Sequence, residues 1–343
     1  MKITVIAYLE PDAKDPDIVV PQVIKALEAN GHETSLLTIQ ADVGKLITGL
    51  RRRKPDLVFN LVESFDDDIV GGLIGVTGVL DLLQVPYTGG GPGELYLQED
   101  KSLSKKLLAY DHIPFPDYAV FAPDAGFESG GKLHMPLFVK PLRMEASQGI
   151  DAQQSLVRDT EHLLERVLNI HKSFGDSALA EEYIEGREFY VGIIGNGEDV
   201  VFPPVEMDFS NLPDDRLPVL DNRAKWDEKS AQFQGTKAVL PDLEPELRAR
   251  IQGVARNAYR ALRVRDYGRV DMRLTESGEI YVLEVNANCY LEEQSEFAMA
   301  AGAHGIEYNQ LVNRIVELAV KRSTTQSRVQ KRKRRRKPSA VKN

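Results

Sequence analysis

At 343 residues and 42% hydrophobic content, the chain can hold two or three domains with ordinary cores. One cysteine, Cys289, excludes an internal disulfide and a cysteine-rich zinc site, and six scattered histidines without an HExxH run argue against a histidine metal site. The formal charge of −9 is uneven: 11 Lys+Arg and no acid lie from Lys321 onward, leaving 32 against 52 acids, or −20, on the preceding part.

The opening run "MKITVIAYLE" reads as a strand and lacks the basic start and small-residue cleavage site of a signal peptide. No window approaches roughly 18 apolar residues, so no membrane span is expected. With one cysteine, a cytoplasmic location is the expectation. "PQVIKALEANGHE" has helical spacing and a glycine stop, and "PDLVFNLVE" reads as a second buried strand. "GLIGVTGVLDLLQVPYTGGGPGE" then gives a helix, a short strand at Pro86–Thr88 and a glycine-rich loop, most simply a turn. Strands alternating with helices imply a parallel α/β layer over residues 1–95.

A second unit is expected over 96–180. "EDKSLSKKLLAYDHIPFPDYAVF" is a basic amphipathic helix leading into a strand. "MPLFVKPLRMEASQGI" is a strand followed by a loop of small and polar residues, and "TEHLLERVLNIHKSF" is a helix. A third unit, 181–320, opens on "SALAEEYIEGREFYVGIIG", which reads as a hairpin turning at Glu185-Gly186-Arg187. The polar stretch Asp208–Gly235 has little periodicity, and loops of that length are usually functional or disordered. "PELRARIQGVARNAYRALRV" and "NQLVNRIVELAV" are helices, and 321–343 is a basic tail expected to be disordered and solvated. The sharper reading of the tail is a weak contact with RNA or another polyanion. No aromatic residue interleaves it, so base stacking is not suggested.

Between the last two helices lies "GRVDMRLTESGEIYVLEVNAN", Gly268–Asn288. A two- or four-residue turn centred on Ser277-Gly278 sets Asp271 opposite Glu284 and Arg269 opposite Asn286, with all four side chains on one face. Val270, Met272 and Leu274 with Leu283 and Val285 then form the apolar face. Two carboxylates at about 4 Å repel by about 4 kcal/mol at an effective dielectric near 20. Either a divalent cation with a taste for hard oxygen donors, Mg²⁺ or Mn²⁺, lies between them, or the acids face water and pair with Arg269 and Arg273. Lys101 and Lys140 alone read as surface charge. No GxxxxGK[ST] run exists, which excludes a P-loop.

Taken in order, "VPYTG", "EDKSLSKKLL", "VKP…EASQGI", "EEYIEGREF" and "GRVDMRL…YVLEVNAN" resemble the ATP-grasp superfamily, and within it the D-alanine–D-alanine ligase-like enzymes. The resemblance covers Pro55 to Val320. It implies a three-domain ATP-grasp α/β fold: an N-terminal parallel α/β domain, a small central α+β domain and a C-terminal α+β domain. It implies an ATP-dependent carboxylate–amine ligase working through an acylphosphate, with ATP and Mg²⁺ (or Mn²⁺), small-molecule acid and amine substrates and a homodimeric state. By the same resemblance Lys101 and Lys140 reach the nucleotide, Ser147 and Gly149 belong to a phosphate lid, and Glu181, Glu182, Tyr183 and Ile184 read adenine. Glu188 accepts the ribose hydroxyls, Lys225 folds over the γ-phosphate, and Asp271, Glu284 and Asn286 hold the metal. Arg269, Lys140 and Lys225 take the catalytic roles, and Ser295 is expected beside the substrate.

The pattern departs from the D-alanine ligases at the substrate end. Tyr290 in "NANCYLEEQSEF" stands where those enzymes carry a glycine, and Glu63 stands where they carry a histidine. Glu63 with Asp66, Asp67 and Asp68 is expected to receive an amine-bearing substrate; the bland reading is a solvated loop or helix start. A silent ATP-binding protein of the same fold and an RNA-associated protein using the tail are the competing functions.

Overall fold

The computed structural model describes residues 1–10, 13–65, 69–144, 148–213, 216–227 and 229–336. Strand β1 (Lys2–Tyr8), helix α1 (Val19–Ala29), β2 (Glu33–Ile39), α2 (Val43–Arg53) and β3 (Leu57–Leu61) build a parallel sheet in the order β2-β1-β3. Ile3, Val5 and Ala7 enter one core and Ile6 the other, so β1 is covered on both faces, as parallel sheets require. Helix α3 (Ile69–Leu83) leads back to the sheet. There the expected strand at Pro86–Thr88 is reduced to one parallel bridge, Val58 to Tyr87.

Helices α4 (Pro92–Glu99) and α5 (Lys101–Tyr110) lead into the central unit. Strands β4 (Tyr118–Phe121), β5 (Phe127–Ser129), β6 (Leu137–Pro141), β7 (Leu156–Val157) and β8 (Ala178–Glu182) form a sheet in the order β5-β4-β8-β6-β7. Helices α6 (Ala152–Ser155) and α7 (Thr160–Phe174) precede β7 and β8. The limits of α7 are set locally: the Asp159 carboxylate accepts from His162 N, and Gly175 ends the helix at φ 63°. Its Leu163, Val167 and Ile170 are buried against Val139 and Ala180.

The C-terminal sheet runs β12-β11-β9-β13-β14, with β10 on β9. Its strands are β9 (Arg187–Gly195), β10 (Val200–Val201), β11 (Val205–Asp208), β12 (Lys237–Val239), β13 (Asp266–Leu274) and β14 (Ile280–Ala287). The polar stretch after Asp208 holds two short capped helices, α8 (Asn222–Trp226) and α9 (Ala231–Gly235). Helix α10 (Pro245–Ala261) precedes the β13–β14 hairpin, and α11 (Glu296–Ala303) and α12 (Tyr308–Arg336) follow it.

Two expectations are corrected here. β8 and β9 do not pair with each other: β8 lies between β4 and β6, and β9 lies between β11 and β13. Gly186, at φ 147°, lets the chain cross between the sheets where a Cβ would stand 2.1 Å from Leu274 O. The basic segment from Lys321 continues as helix to Arg336 in place of the expected disorder, and residues 337–343 lie outside the described part. Upstream, Leu311, Val312, Ile315, Val316 and Ala319 of α12 are buried in one core with Val19, Val20 and Val23 of α1. Burial of one such side chain contributes about 1.5–3 kcal/mol, so α12 is anchored across the N-terminal unit before its basic part begins. Among the described residues no helix is long and apolar enough to cross a membrane.

Candidate active site

The β13–β14 hairpin carries the expected face. Arg269 pairs with Asn286 and Asp271 with Glu284, but the register shifts between Asp271 and Met272, after which Met272 faces Val282 and Leu274 faces Ile280. The turn, residues 275–279, has an odd length, closed by Thr275 N donating to Glu279 O at 2.9 Å. A bulge at Leu283 absorbs the extra residue and restores the carboxylate pairing. Leu283, expected on the apolar face, is the residue re-aimed by the bulge, and it lines a cavity together with Glu284.

In this cavity face Arg269 grips Asp271 bidentately, Nε to Oδ1 at 2.7 Å and Nη2 to Oδ2 at 2.9 Å. Asn286 Nδ2 donates to Asp271 Oδ2 at 3.1 Å, and the Arg269 guanidinium stacks 4.4 Å from the Tyr190 ring centroid. Glu296 Oε2 lies 3.8 Å from Arg269 Nη1. Burial pushes the Asp271 carboxyl up, with Arg269 opposing it. For Glu284 burial acts the same way, but Lys101 and Lys140 outweigh it and hold the carboxyl below its ordinary value. Lys101 Nζ stands 3.9 Å from Glu284 Oε1 and donates to Met144 O at 2.9 Å.

Lys140 and Lys105 close on one carboxylate. Lys105 Nζ is 2.5 Å and Lys140 Nζ 2.6 Å from the two oxygens of Glu181, and all three side chains are buried. Burial alone would raise the Glu181 carboxyl; the two ammonium groups overcome it and hold the pKa at about 2. Glu188 takes a guanidinium of its own, with Arg273 Nη2 at 2.8 Å and Tyr190 OH donating at 3.0 Å.

These groups line two adjoining spaces. A cavity of about 470 Å³ is bordered by Lys101, Lys140, Lys225, Arg269, Asp271, Glu284 and Asn286, and also by Glu63, Tyr290 and Glu296. A slot of about 120 Å³ beside it has apolar walls from Phe138, Ile184, Leu220 and Leu283, and Lys140, Lys225, Asp271 and Glu284 line both. Tyr183 N donates to Pro136 O at 3.0 Å and Ile184 O accepts from Arg273 Nη1 at 3.0 Å, which pins the crossover along the slot. Burial lowers the Lys225 pKa.

Glu182 lines the slot as well. The Glu182 carboxylate turns outward to His134, 2.6 Å from its Nδ1. Gly149, at φ 70°, packs where a Cβ would meet Pro141 Cγ at 2.7 Å, and its neighbours Gln148 and Ile150 line the cavity instead. Ser295 is the N-cap of α11, while Glu296 beside it lines the cavity. Ser147, Asp66, Asp67 and Asp68 lie outside the described residues. Lys105, Arg273 and Glu296 were not singled out as site residues from the sequence. For Lys105 a signal existed: it lies one helical turn from Lys101, on the same face of α5.

The family described as "D-ala D-ala ligase C-terminus" matches residues 107–317. The chain belongs to the D-alanine–D-alanine ligase family. A D-alanine–D-alanine ligase of Desulforudis audaxviator is 30% identical over 305 residues, covering 88% of this chain and 92% of that protein. An uncharacterized protein of Sinorhizobium fredii is 34% identical over 311 residues, covering 89% and 88%. The crystal structure of the D-alanine–D-alanine ligase from Bacillus anthracis complexed with ATP superposes with a TM-score of 0.73 at 23% identity, over 95% of this chain and 99% of that one. The fold is therefore the expected ATP-grasp fold, and the family is one of ATP-grasp carbon–nitrogen ligases.

Proposed function

We propose that the chain is an ATP-dependent carboxylate–amine ligase working through an acylphosphate. The observation that carries this reading is one cavity in which Asp271, Glu284 and three lysines meet beside an apolar slot. The slot suits a planar base, with Ile184 and Leu283 on its walls and Glu188 at its rim. Lys101, Lys140 and Lys225 then face the phosphates.

Asp271, Glu284 and Asn286 offer only oxygen donors suited to a hard divalent ion, from one face of one hairpin, and so fit Mg²⁺ or Mn²⁺. Among the described residues no group of three or more His, Cys, Asp and Glu could hold a metal, so this reading rests on two carboxylates with the Asn286 amide oxygen as third donor. The ion when bound supplies charge neutralisation on the β- and γ-phosphoryl oxygens. Arg269 holds Asp271 and reaches toward the substrate end, where it meets the oxyanion that forms when an amine attacks. In the first step a substrate carboxylate oxygen displaces ADP from the γ-phosphorus, giving the acylphosphate. In the second the amine adds to the acyl carbon, loses a proton and expels phosphate. Lys140 and Arg269 work by position and charge, and no side chain becomes covalently modified. The reading places the enzyme in the cytoplasm, with Cys289 buried and reduced.

The test is phosphate release with ATP, Mg²⁺ and a panel of D- and L-amino acids, with mass detection of the ligated product. Release that depends on particular acid–amine pairs is expected; ATP binding with no release from any pair would favour a silent nucleotide-binding protein. Glu63 and Glu296 line the cavity and not the slot, which favours an amine-bearing substrate. Glu63→Ala is expected to raise the KM of that substrate about 10- to 100-fold, the loss of one charge-assisted hydrogen bond. Unchanged ligation kinetics would remove Glu63 from recognition.

A further inference from the structure

We propose that the open end of the carboxylate hairpin is a clasp that fixes the glycine loop of the N-terminal unit, and through it Lys101, with Arg322 of α12 as its positioning residue. Its catalytic consequence rests on the ligase reading above; the clasp itself does not.

Asp266 opens β13 and Asn288 follows β14, and both occupy the left-handed region, at φ 63° and 56°. Asp and Asn enter that conformation more readily than other residues bearing a Cβ, and packing can demand it of them. Here the demand is visible. Asp266 Oδ2 accepts from Gly89 N at 2.8 Å and Asn288 Oδ1 accepts from Gly90 N at 2.7 Å, so the two ends of the hairpin hold consecutive amides of one loop. Arg265 Nε donates to Gly89 O at 2.8 Å from the same side. Gly89 is at φ 85°, and a Cβ there would lie 2.0 Å from Asn288 Oδ1. The loop read from sequence as a plain turn is thus a docking segment in which glycine is required by close approach.

The Asp266 carboxylate is fully buried and must be neutralised where it stands. Arg322 does this, with Nη2 at 2.7 Å from Oδ2 and Nε at 3.2 Å from Oδ1, and Asn196 Nδ2 adds a third donor at 2.9 Å. Arg322 Nη2 also donates to Tyr87 O at 2.7 Å, tying the strand-like residues before the loop to the same point. At 13% side-chain exposure, Arg322 is far from the solvated tail residue its sequence context suggests.

The loop leads directly to the site. Gly91 caps α4, whose Gln98 accepts from Ala287 N at the end of β14, and Asp100 caps α5, whose first residue is Lys101. Arg322 lines neither cavity. Its influence on the chemistry can only pass through Asp266 and the loop.

The experiment uses the full chain with three variants, Arg322→Ala, Arg322→Lys and Asp266→Gly. The last removes the carboxylate while keeping a residue at ease at positive φ, so it guards against misfolding of the first. Amide hydrogen exchange at Gly89 and Gly90 in nucleotide-free protein is expected to quicken at least about tenfold in Arg322→Ala and Asp266→Gly, with partial recovery in Arg322→Lys. The kcat of ATP cleavage is expected to fall about tenfold in the same order while the KM for the amine substrate stays near the wild-type value. Unchanged exchange in both loosening variants overturns the clasp, and faster exchange with wild-type kcat overturns its hold on Lys101. If the wild-type chain cleaves no ATP, the ligase reading fails, and the exchange result alone upholds or overturns the clasp.

Discussion

Replacing Glu284 with glutamine is expected to lower Mg²⁺-dependent ATP cleavage by about 10²–10³-fold and to lower the unfolding midpoint as well. The two effects have one origin. Glu284 stands directly across the hairpin from Asp271, and like charges so placed destabilise a sheet. A glutamine keeps the shape and removes that repulsion, but it also removes the charge of a carboxyl that Lys101 and Lys140 hold below its ordinary pKa, and the second loss is the larger. Lys101 loses an ion-pair partner at 3.9 Å but keeps its carbonyl acceptors at Leu142 and Met144. The carboxylate thus balances the lysines around it and is suited to holding a divalent ion beside phosphate oxygens. Phosphate release titrated with Mg²⁺, together with urea denaturation, separates the two. Wild-type turnover in the variant would take the hairpin out of the mechanism.

Glu181→Gln is expected to act in the same sense and more strongly, losing about 3–5 kcal/mol of stability as well as nucleotide affinity. The substitution leaves Lys105 and Lys140 buried and facing a neutral amide in place of the charge between them. The acid side of the stability profile carries an independent signature. The native carboxyl sits at about 2, below its ordinary 4.5. Its contribution is therefore complete above about pH 4.5 and is lost as the pH falls toward about 2, an amount on the order of 3 kcal/mol. Urea curves for the two proteins across that window should converge as the pH drops. Curves that stay parallel would mean the two lysines do not depend on this carboxylate.

Why the hairpin is legible and the closing of Lys105 and Lys140 on Glu181 is not follows from the range of the interactions. Arg269, Asp271, Glu284 and Asn286 lie within one β-hairpin, where the two-residue period alone fixes which side chains share a face. Even there the turn, residues 275–279, is not the two- or four-residue loop expected, and the pairing survives because a bulge at Leu283 compensates the odd length. The β8–β9 pairing failed for the complementary reason. Two strand-like runs around Glu185-Gly186-Arg187 satisfy every local rule for a hairpin, yet β4 and β6, distant in sequence, compete for β8 and win. Lys105 has the composition of a solvated helix face; its burial depends on Glu181 arriving from another element.

The amino-acid order by itself therefore determined the parallel N-terminal layer, the capped helix α7, and a ribbon with two acids and an amide on one face, all set by period, caps and turns within a few residues. Only the tertiary structure decided that Lys105 and Lys140 share one carboxylate, that the glycine loop is a docked segment, and that Arg322 belongs to the folded body. Each of those rests on a buried charge finding its partner across a large sequence separation, and a desolvated charge is stable only where the whole fold brings that partner to it.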